Sequence, residues 1–144
     1  MNNKLKKGIT MASLVIYVVV FSTITVVLSL IYNNMNDTLF FNRGRSINYT
    51  ALNKLEYNME YSASNSIDVE VTADSIIYSN GDKYTYYEEE KIIMLNDGIF
   101  CTNVTKFEPV LIEGNEANLV RLKITFNKYS NELNKEIVSS VEVD

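Results

Sequence analysis

Hydrophobic and polar positions follow three different patterns along this chain, and the first is the strongest. From Met11 to Tyr32 the residues are apolar, interrupted only by Ser and Thr, and no charged residue occurs from Gly8 to Asn36. An α-helix rises about 1.5 Å per residue, so this run covers roughly 30 Å, the thickness of a bilayer's hydrocarbon core. The hydroxyls can bond the carbonyl one turn earlier, which makes them acceptable in lipid. We predict a transmembrane helix over 9–32.

The second pattern lies beyond this run and has helical spacing. One apolar stripe consists of Ile47, Ala51, Leu55 and Met59, with Leu52 beside them, whereas most polar positions, including Asn48, Asn53, Lys54, Asn58 and Glu60, fall elsewhere. A stripe of this kind predicts an amphipathic helix over 33–65 that continues the anchor and packs on the following domain. A flexible tether from Asn33 to about Ser46, followed by a separate helix, is the alternative.

The third pattern is a two-residue alternation that predicts β-strands. The strands are expected at 67–71, 75–79, 83–87, 91–95, 100–111, 120–127 and 136–143. Asn80-Gly81 suits a type I′ hairpin turn, and Pro109 indicates an edge strand or a strand end. The predicted fold class is α+β, a long N-terminal helix packed on one antiparallel β-sheet formed by 66–144.

The distribution of charge predicts an orientation in the membrane. The formal net charge is -5, yet Lys4, Lys6 and Lys7 are the only charges before the apolar run, and all 18 acidic residues follow it. Basic flanks stay in the cytoplasm, so the acidic domain is expected outside the cell membrane. A buried helix of a soluble core is disfavoured because so small a domain could not cover it. A cleavable secretory signal is disfavoured because the run is long and lacks a small-x-small site.

The residue types present argue against an enzyme. The chain has no His and one Cys, which excludes Ser-His-Asp and Cys-His catalysis, His-ligated zinc, CxxC sites and an intramolecular disulfide. Cys101 is expected to be a small buried hydrophobe, Glu88-Glu89-Glu90 a solvated turn rather than a calcium site, and Asp82 part of a turn. We expect no catalytic residue, metal, cofactor or small-molecule substrate, and the acidic domain disfavours nucleic acid.

A cluster of tyrosines surrounds the predicted hairpin and permits two interpretations. Tyr78, Tyr84, Tyr86 and Tyr87 lie close together in the sequence. Tyrosine is favoured at protein interfaces, so the cluster is a candidate contact surface. Tyrosine is also a good strand former, so the same residues are candidates for the sheet itself.

The junction before the apolar run resembles a known family. Its sequence is Lys6-Lys7-Gly8-Ile9-Thr10-Met11-Ala12-Ser13-Leu14, which resembles the class III signal of type IV pilins and type II secretion pseudopilins. The resemblance implies that 1–8 is a leader, that a prepilin peptidase cuts after Gly8, and that the new N-terminus at Ile9 is methylated. Thr10 and Met11 are then the second and third mature positions.

One mature position departs from the family pattern and refines what the resemblance implies. At the fifth position the family usually has Glu, and this chain has Ser13. A buried N-terminal ammonium without a carboxylate partner is costly, so the resemblance points to a minor rather than a major subunit, one that primes or caps a filament. The segment from Tyr78 to Tyr84 loosely resembles J-type minor pseudopilins and their competence-system relatives.

The expected function is therefore a structural one. The resemblance implies a minor pilin or pseudopilin of a type IV pilus, type II secretion or competence filament, with the membrane, other subunits and a prepilin peptidase as partners. The alternative is a single-pass, membrane-anchored extracytoplasmic binding or scaffold module unrelated to filaments.

Overall fold

One long helix and eight strands make up the protein. The computed structural model describes the backbone of residues 3–142 and the side chains of residues 10–142. Two antiparallel sheets follow the helix, so the α+β class is confirmed. The elements are α1 (Asn3–Ser64), β1 (Val69–Val71), β2 (Ser75–Tyr78), β3 (Lys83–Tyr87), β4 (Ile92–Leu95), β5 (Gly98–Thr102), β6 (Val104–Ile112), β7 (Ala117–Lys128) and β8 (Asn131–Glu142).

Helical structure is continuous along α1 up to the predicted end. The helix includes every residue from Asn33 to Ser46, so the alternative of a flexible tether there is wrong. At its end the side chains of Asn65 and Ser66 donate to the carbonyls of Tyr61 and Ser62, at 2.7 Å each. These bonds satisfy carbonyls that no longer have a helical partner, which explains why the Ser- and Asn-rich segment ends the helix.

A compact unit begins at Phe41 and contains both sheets and the C-terminal part of α1. Leu52, Leu55 and Met59 are buried there, as the apolar stripe predicted. Asn48 was expected off the stripe, and that expectation is wrong: it is buried, and its Nδ2 donates to the carbonyl of Asn131 at 2.8 Å. Ile47 is only half-buried, so the buried stripe passes through Asn48 at this level of the helix.

The strands form two sheets rather than the single predicted one. β1 to β5 form a five-stranded antiparallel sheet in chain order, and β6 to β8 form a three-stranded one. The expected continuous strand over 100–111 is interrupted at Asn103, whose φ of 63° lies in the left-handed region. That conformation cannot continue a strand, so the chain leaves the first sheet there and enters the second. Pro109 lies in edge strand β6, as predicted.

The β2–β3 hairpin forms where it was predicted but with a different turn. Gly81 has a φ of 102°, whereas Asn80 is not among the residues with positive φ. A type I′ turn needs positive φ at both central positions, so that part of the prediction is wrong. The amide of Gly81 donates to the carbonyl of Tyr78 at 3.0 Å, which closes a turn with glycine at its last position.

The core of the compact unit joins the helix to both sheets. Its buried helical members are Leu52, Leu55, Met59 and Ala63, and the strands contribute branched aliphatic and aromatic side chains. The buried apolar side chains of the strands are Val69, Ile76, Tyr78, Tyr84, Ile93, Cys101, Val104, Phe107, Val120, Leu122, Ile124, Phe126, Ile137 and Val141.

Candidate functional site: the N-terminal helix

The segment of α1 from Met11 to Tyr32 exposes its apolar side chains on every side. Each large apolar residue in it is between 48% and 73% exposed. Among the described residues, α1 is the one helix long and apolar enough to cross a membrane. In water, exposing that much apolar surface is unfavourable by about 25 cal/mol per Å², so an apolar environment is what this segment suits. A candidate membrane span near the N-terminus is therefore consistent with a single-pass anchor.

Four hydroxyl side chains of this segment pair with its own backbone. Ser22 and Thr23 donate their hydroxyls to the carbonyls of Val18 and Val19, at 2.7 and 2.8 Å. Thr25 and Ser29 make the same bond one turn back, at 2.9 Å each. The predicted return bonds are thus confirmed at these four positions. Each bond gives the hydroxyl proton an acceptor within the helix, which is favourable because the hydrocarbon of a membrane offers none.

The predicted processing residues lie at the start of the same helix. Thr10 and Met11 are exposed and Ser13 is half-buried; the resemblance makes these three residues the motif through which the helix would assemble with other subunits, and all three lie at the start of the apolar segment. Of Lys4, Lys6, Lys7, Gly8 and Ile9 the structure describes the backbone alone. Cleavage after Gly8 remains a prediction.

Cys101 has the properties of a core residue. It is buried, and its Sγ lies 3.7 Å from the carbonyl oxygen of Ala51 on α1. Burial raises the pKa of the Cys101 thiol to about 11, an effect that the charge of Lys54 reduces in part. A thiol with so high a pKa is protonated at neutral pH and is a poor nucleophile. The expectation of a small buried hydrophobe is confirmed.

The acidic residues considered as cation ligands belong to turns. Glu88, Glu89 and Glu90 are exposed in the turn between β3 and β4. Asp82 accepts hydrogen bonds at Oδ2 from Ser62 Oγ at 2.7 Å and from Asn80 Nδ2 at 2.9 Å. The side chain of Asp82 therefore stabilises the β2–β3 turn against the helix. Within 10–142, no three Asp, Glu, Cys or His side chains group as a metal site would require.

The tyrosine cluster divides between the core and the surface. Tyr78 and Tyr84 are buried edge-to-face, with ring centroids 6.0 Å apart. Their hydroxyls bond Ser139 and Ser62, each at 3.0 Å. Tyr86 stacks on Phe107 at 5.4 Å, and Tyr87 alone of the four is exposed. Most of the cluster is therefore part of the fold, not a contact surface.

Two features of the compact unit were missed because they depend on a contact between distant parts of the sequence. Gly44 is buried against the turn between β7 and β8, where a Cβ would lie 2.4 Å from the carbonyl oxygen of Lys128. Tyr129 and Ser130 in that turn have φ values of 52° and 59°. The signal available in the sequence was the glycine at position 44, because glycine is otherwise unfavourable inside a helix.

Comparisons with protein-family models, curated proteins and solved structures find no match for this chain. The fold and the surface of α1 thus define the protein as an α+β domain with one candidate membrane-spanning helix.

Proposed function

We propose that this protein is a minor pilin-like or pseudopilin-like structural subunit, which resides in the cell membrane through α1 and joins a filament through the same helix. The observation that carries the proposal is the apolar segment of α1, which is exposed on every side and lies directly after Lys6-Lys7-Gly8-Ile9-Thr10. The acidic compact unit then lies outside the membrane, in accordance with the basic leader. Its work is packing and contact, without catalysis.

The continuity of α1 supports this proposal over a simple tether. An anchor that serves only as a tether needs no ordered connection to its domain. Here the residues that follow the apolar segment remain helical, and from Asn48 to Ala63 they contribute buried side chains to the domain core. Withdrawal of the anchor from the membrane would therefore move a helix that is part of the domain's own core.

Processing at Gly8 is the most direct test. The chain would be expressed with and without a prepilin peptidase, and its N-terminus and intact mass measured from membranes. We expect a mature chain that begins with methylated Ile9 only when the peptidase is present, and an uncut chain for Gly8→Leu. An equally substituted control, Gly98→Leu, keeps the junction intact and is expected to be cut.

The contrary result would favour the other class of function. If the wild-type chain stays intact from Met1 in the presence of an active peptidase that cuts a control substrate, the filament proposal fails. A membrane-anchored binding or scaffold module would then be the better description.

A further inference from the structure

Basic residues of the compact unit are concentrated in two segments that lack acidic residues. Residues 41–55 contain Arg43, Arg45 and Lys54, and residues 117–131 contain Arg121, Lys123 and Lys128. These are six of the ten basic residues that follow Asn36, whereas all 17 acidic residues beyond Phe41 lie outside the two segments. In a domain of net negative charge, positive charge is thus concentrated in two segments of the sequence.

The fold brings the two segments together at Gly44. The position of its missing Cβ is 2.4 Å from Lys128 O and 3.3 Å from the Cβ of Tyr129. Arg43 and Arg45 flank this contact on α1, and both are exposed. The described residues form two ion pairs, Lys106–Glu108 and Arg121–Glu136, and neither includes Arg43, Arg45 or Lys128. Three cations that form no ion pair among the described residues therefore lie in the two segments that meet at Gly44.

Aromatic rings accompany these cations. The guanidinium of Arg45 lies 5.6 Å from the ring centroid of Tyr49, and Lys128 Nζ lies 4.9 Å from that of Tyr129. Both tyrosines are more than 40% exposed. Cations beside exposed tyrosines are typical of surfaces that meet the headgroup layer of a membrane, where the ring has an apolar body and a polar tip.

The backbone of the hairpin tip is unfavourable for the residues it contains. Tyr129 and Ser130 both have positive φ, a conformation that glycine or asparagine adopts more readily. A left-handed conformation costs roughly 1–2 kcal/mol for an ordinary residue. Tyr129 and Ser130 lie between the paired residues Lys128 and Asn131, and two positive φ values there are those of a type I′ turn, which places the partly exposed Tyr129 at the hairpin tip.

The chain also limits how far this tip can be from a membrane that α1 crosses. Arg43 follows the last residue of the apolar run, Tyr32, by eleven positions. Even when fully extended, eleven residues span at most roughly 40 Å, so lipid is within reach of the tip in every molecule whose α1 crosses a membrane. A headgroup layer is several ångströms thick, and attraction extends about 8–10 Å further at physiological ionic strength.

We propose that Arg43, Arg45 and Lys128, with Tyr49 and Tyr129, form a contact site for anionic lipid headgroups, called here the hairpin-tip site. The proposal depends on the membrane-anchor part of the proposed function and not on filament assembly. A lipid surface is favoured over the acidic surface of a second copy because the short connection between Tyr32 and Arg43 gives every anchored molecule a lipid surface within reach of the site. Lipid would hold the domain against the membrane before assembly.

The absence of tryptophan from the chain provides the probe. Full-length Tyr129→Trp would be placed as a single copy in lipid nanodiscs containing a headgroup-labelled quencher lipid, either with neutral lipid alone or with about 30% phosphatidylglycerol. We expect quenching about fivefold greater in the anionic discs, and its loss in about 0.5 M salt. Tyr49→Trp is a second probe of the same site. Tyr57→Trp, exposed on the same helix, should show no dependence on lipid charge.

Charge variants and an anchor probe complete the experiment. Arg43→Gln, Arg45→Gln and Lys128→Gln combined with Tyr129→Trp should reduce quenching in anionic discs to the neutral value. Equal quenching of both site probes in neutral and anionic discs would overturn the proposal, as would quenching that is absent from single-copy discs and appears only in discs loaded with two copies. Tyr17→Trp, read with acyl-chain quenchers, reports the anchor separately. If Tyr17→Trp is not quenched, the membrane part of the proposed function fails instead.

Discussion

The two parts of α1 differ in what surrounds their apolar side chains. From Met11 to Tyr32 those side chains are exposed around the whole circumference, and from Asn48 to Ala63 one stripe is buried while the opposite face carries Tyr57 and Tyr61 in the open. The same helical backbone thus suits two environments, and the distribution of apolar residues around the axis decides which. The first part requires an apolar environment on all sides, whereas the second packs its apolar stripe into the core of its own chain.

The largest expected effect comes from placing charge in the first part. Val19→Asp and Ile24→Asp together should prevent membrane retention, because each charge near the centre of a span costs about 2.5–3.5 kcal/mol. Membrane fractionation with alkaline extraction measures this. Asn53→Asp with Tyr57→Asp, on the exposed face of the second part, is the matched control and should stay in the membrane fraction. Retention of the Val19 and Ile24 variant would refute the distinction between the two parts.

A cavity in the second part should have the next largest effect, and it should act on folding rather than on localisation. Leu55 is completely buried, so Leu55→Ala should lower the free energy of unfolding by about 2–5 kcal/mol. Urea denaturation in detergent, followed by tyrosine near-UV circular dichroism, measures it. Tyr57→Ala, two residues away and exposed, should change stability by less than about 0.5 kcal/mol. Similar losses for both variants would contradict the assignment of the buried face.

A smaller loss is expected where α1 meets the β7–β8 turn. Gly44→Ala should destabilise the compact unit by about 1–3 kcal/mol, because the new methyl group would meet the backbone oxygen of Lys128. Gly98→Ala is the control, since the nearest atom to its Cβ is 3.7 Å away and a strand tolerates it. The same urea experiment compares them. An unchanged midpoint for Gly44→Ala would show that the close approach is absent.

The smallest effect on stability at neutral pH is expected from the ionisation of Tyr84, and this effect grows at alkaline pH. Burial, with a contribution from the charge of Asp82, raises the pKa of Tyr84 to about 12. A raised pKa means that the folded state holds the proton more tightly, so this stabilisation is complete below pH 10 and is lost as the pH rises toward 12. The free energy of unfolding should therefore fall between about pH 10 and 12. For Tyr84→Phe, the free energy of unfolding should fall less steeply over this pH range. An identical slope would contradict the raised pKa of Tyr84.

Local patterns in the sequence predicted much of this molecule. The uncharged run, the stripe through Leu55 and Met59, the β2–β3 hairpin and the strand over 120–127 each depend on neighbouring residues, and each is present. The fold class follows from their order along the chain.

The parts that were wrong or missed depend on contacts between distant residues. Asn48 is buried because Asn131, 83 positions later, accepts its hydrogen bond. The division into two sheets depends on the backbone conformation of a single residue, Asn103. The hairpin-tip site depends on the approach of Gly44 to Lys128. Periodicity contains no information about such pairs, because it describes one element at a time.

Thiol labelling distinguishes most clearly whether the two parts of α1 lie in different media. In a Cys101→Ala background, Val19→Cys and Tyr57→Cys would be treated with a membrane-impermeant maleimide on intact cells. We expect rapid labelling at position 57, and labelling at position 19 only after detergent is added. Labelling at position 19 in intact cells, at a rate similar to that at position 57, would contradict it.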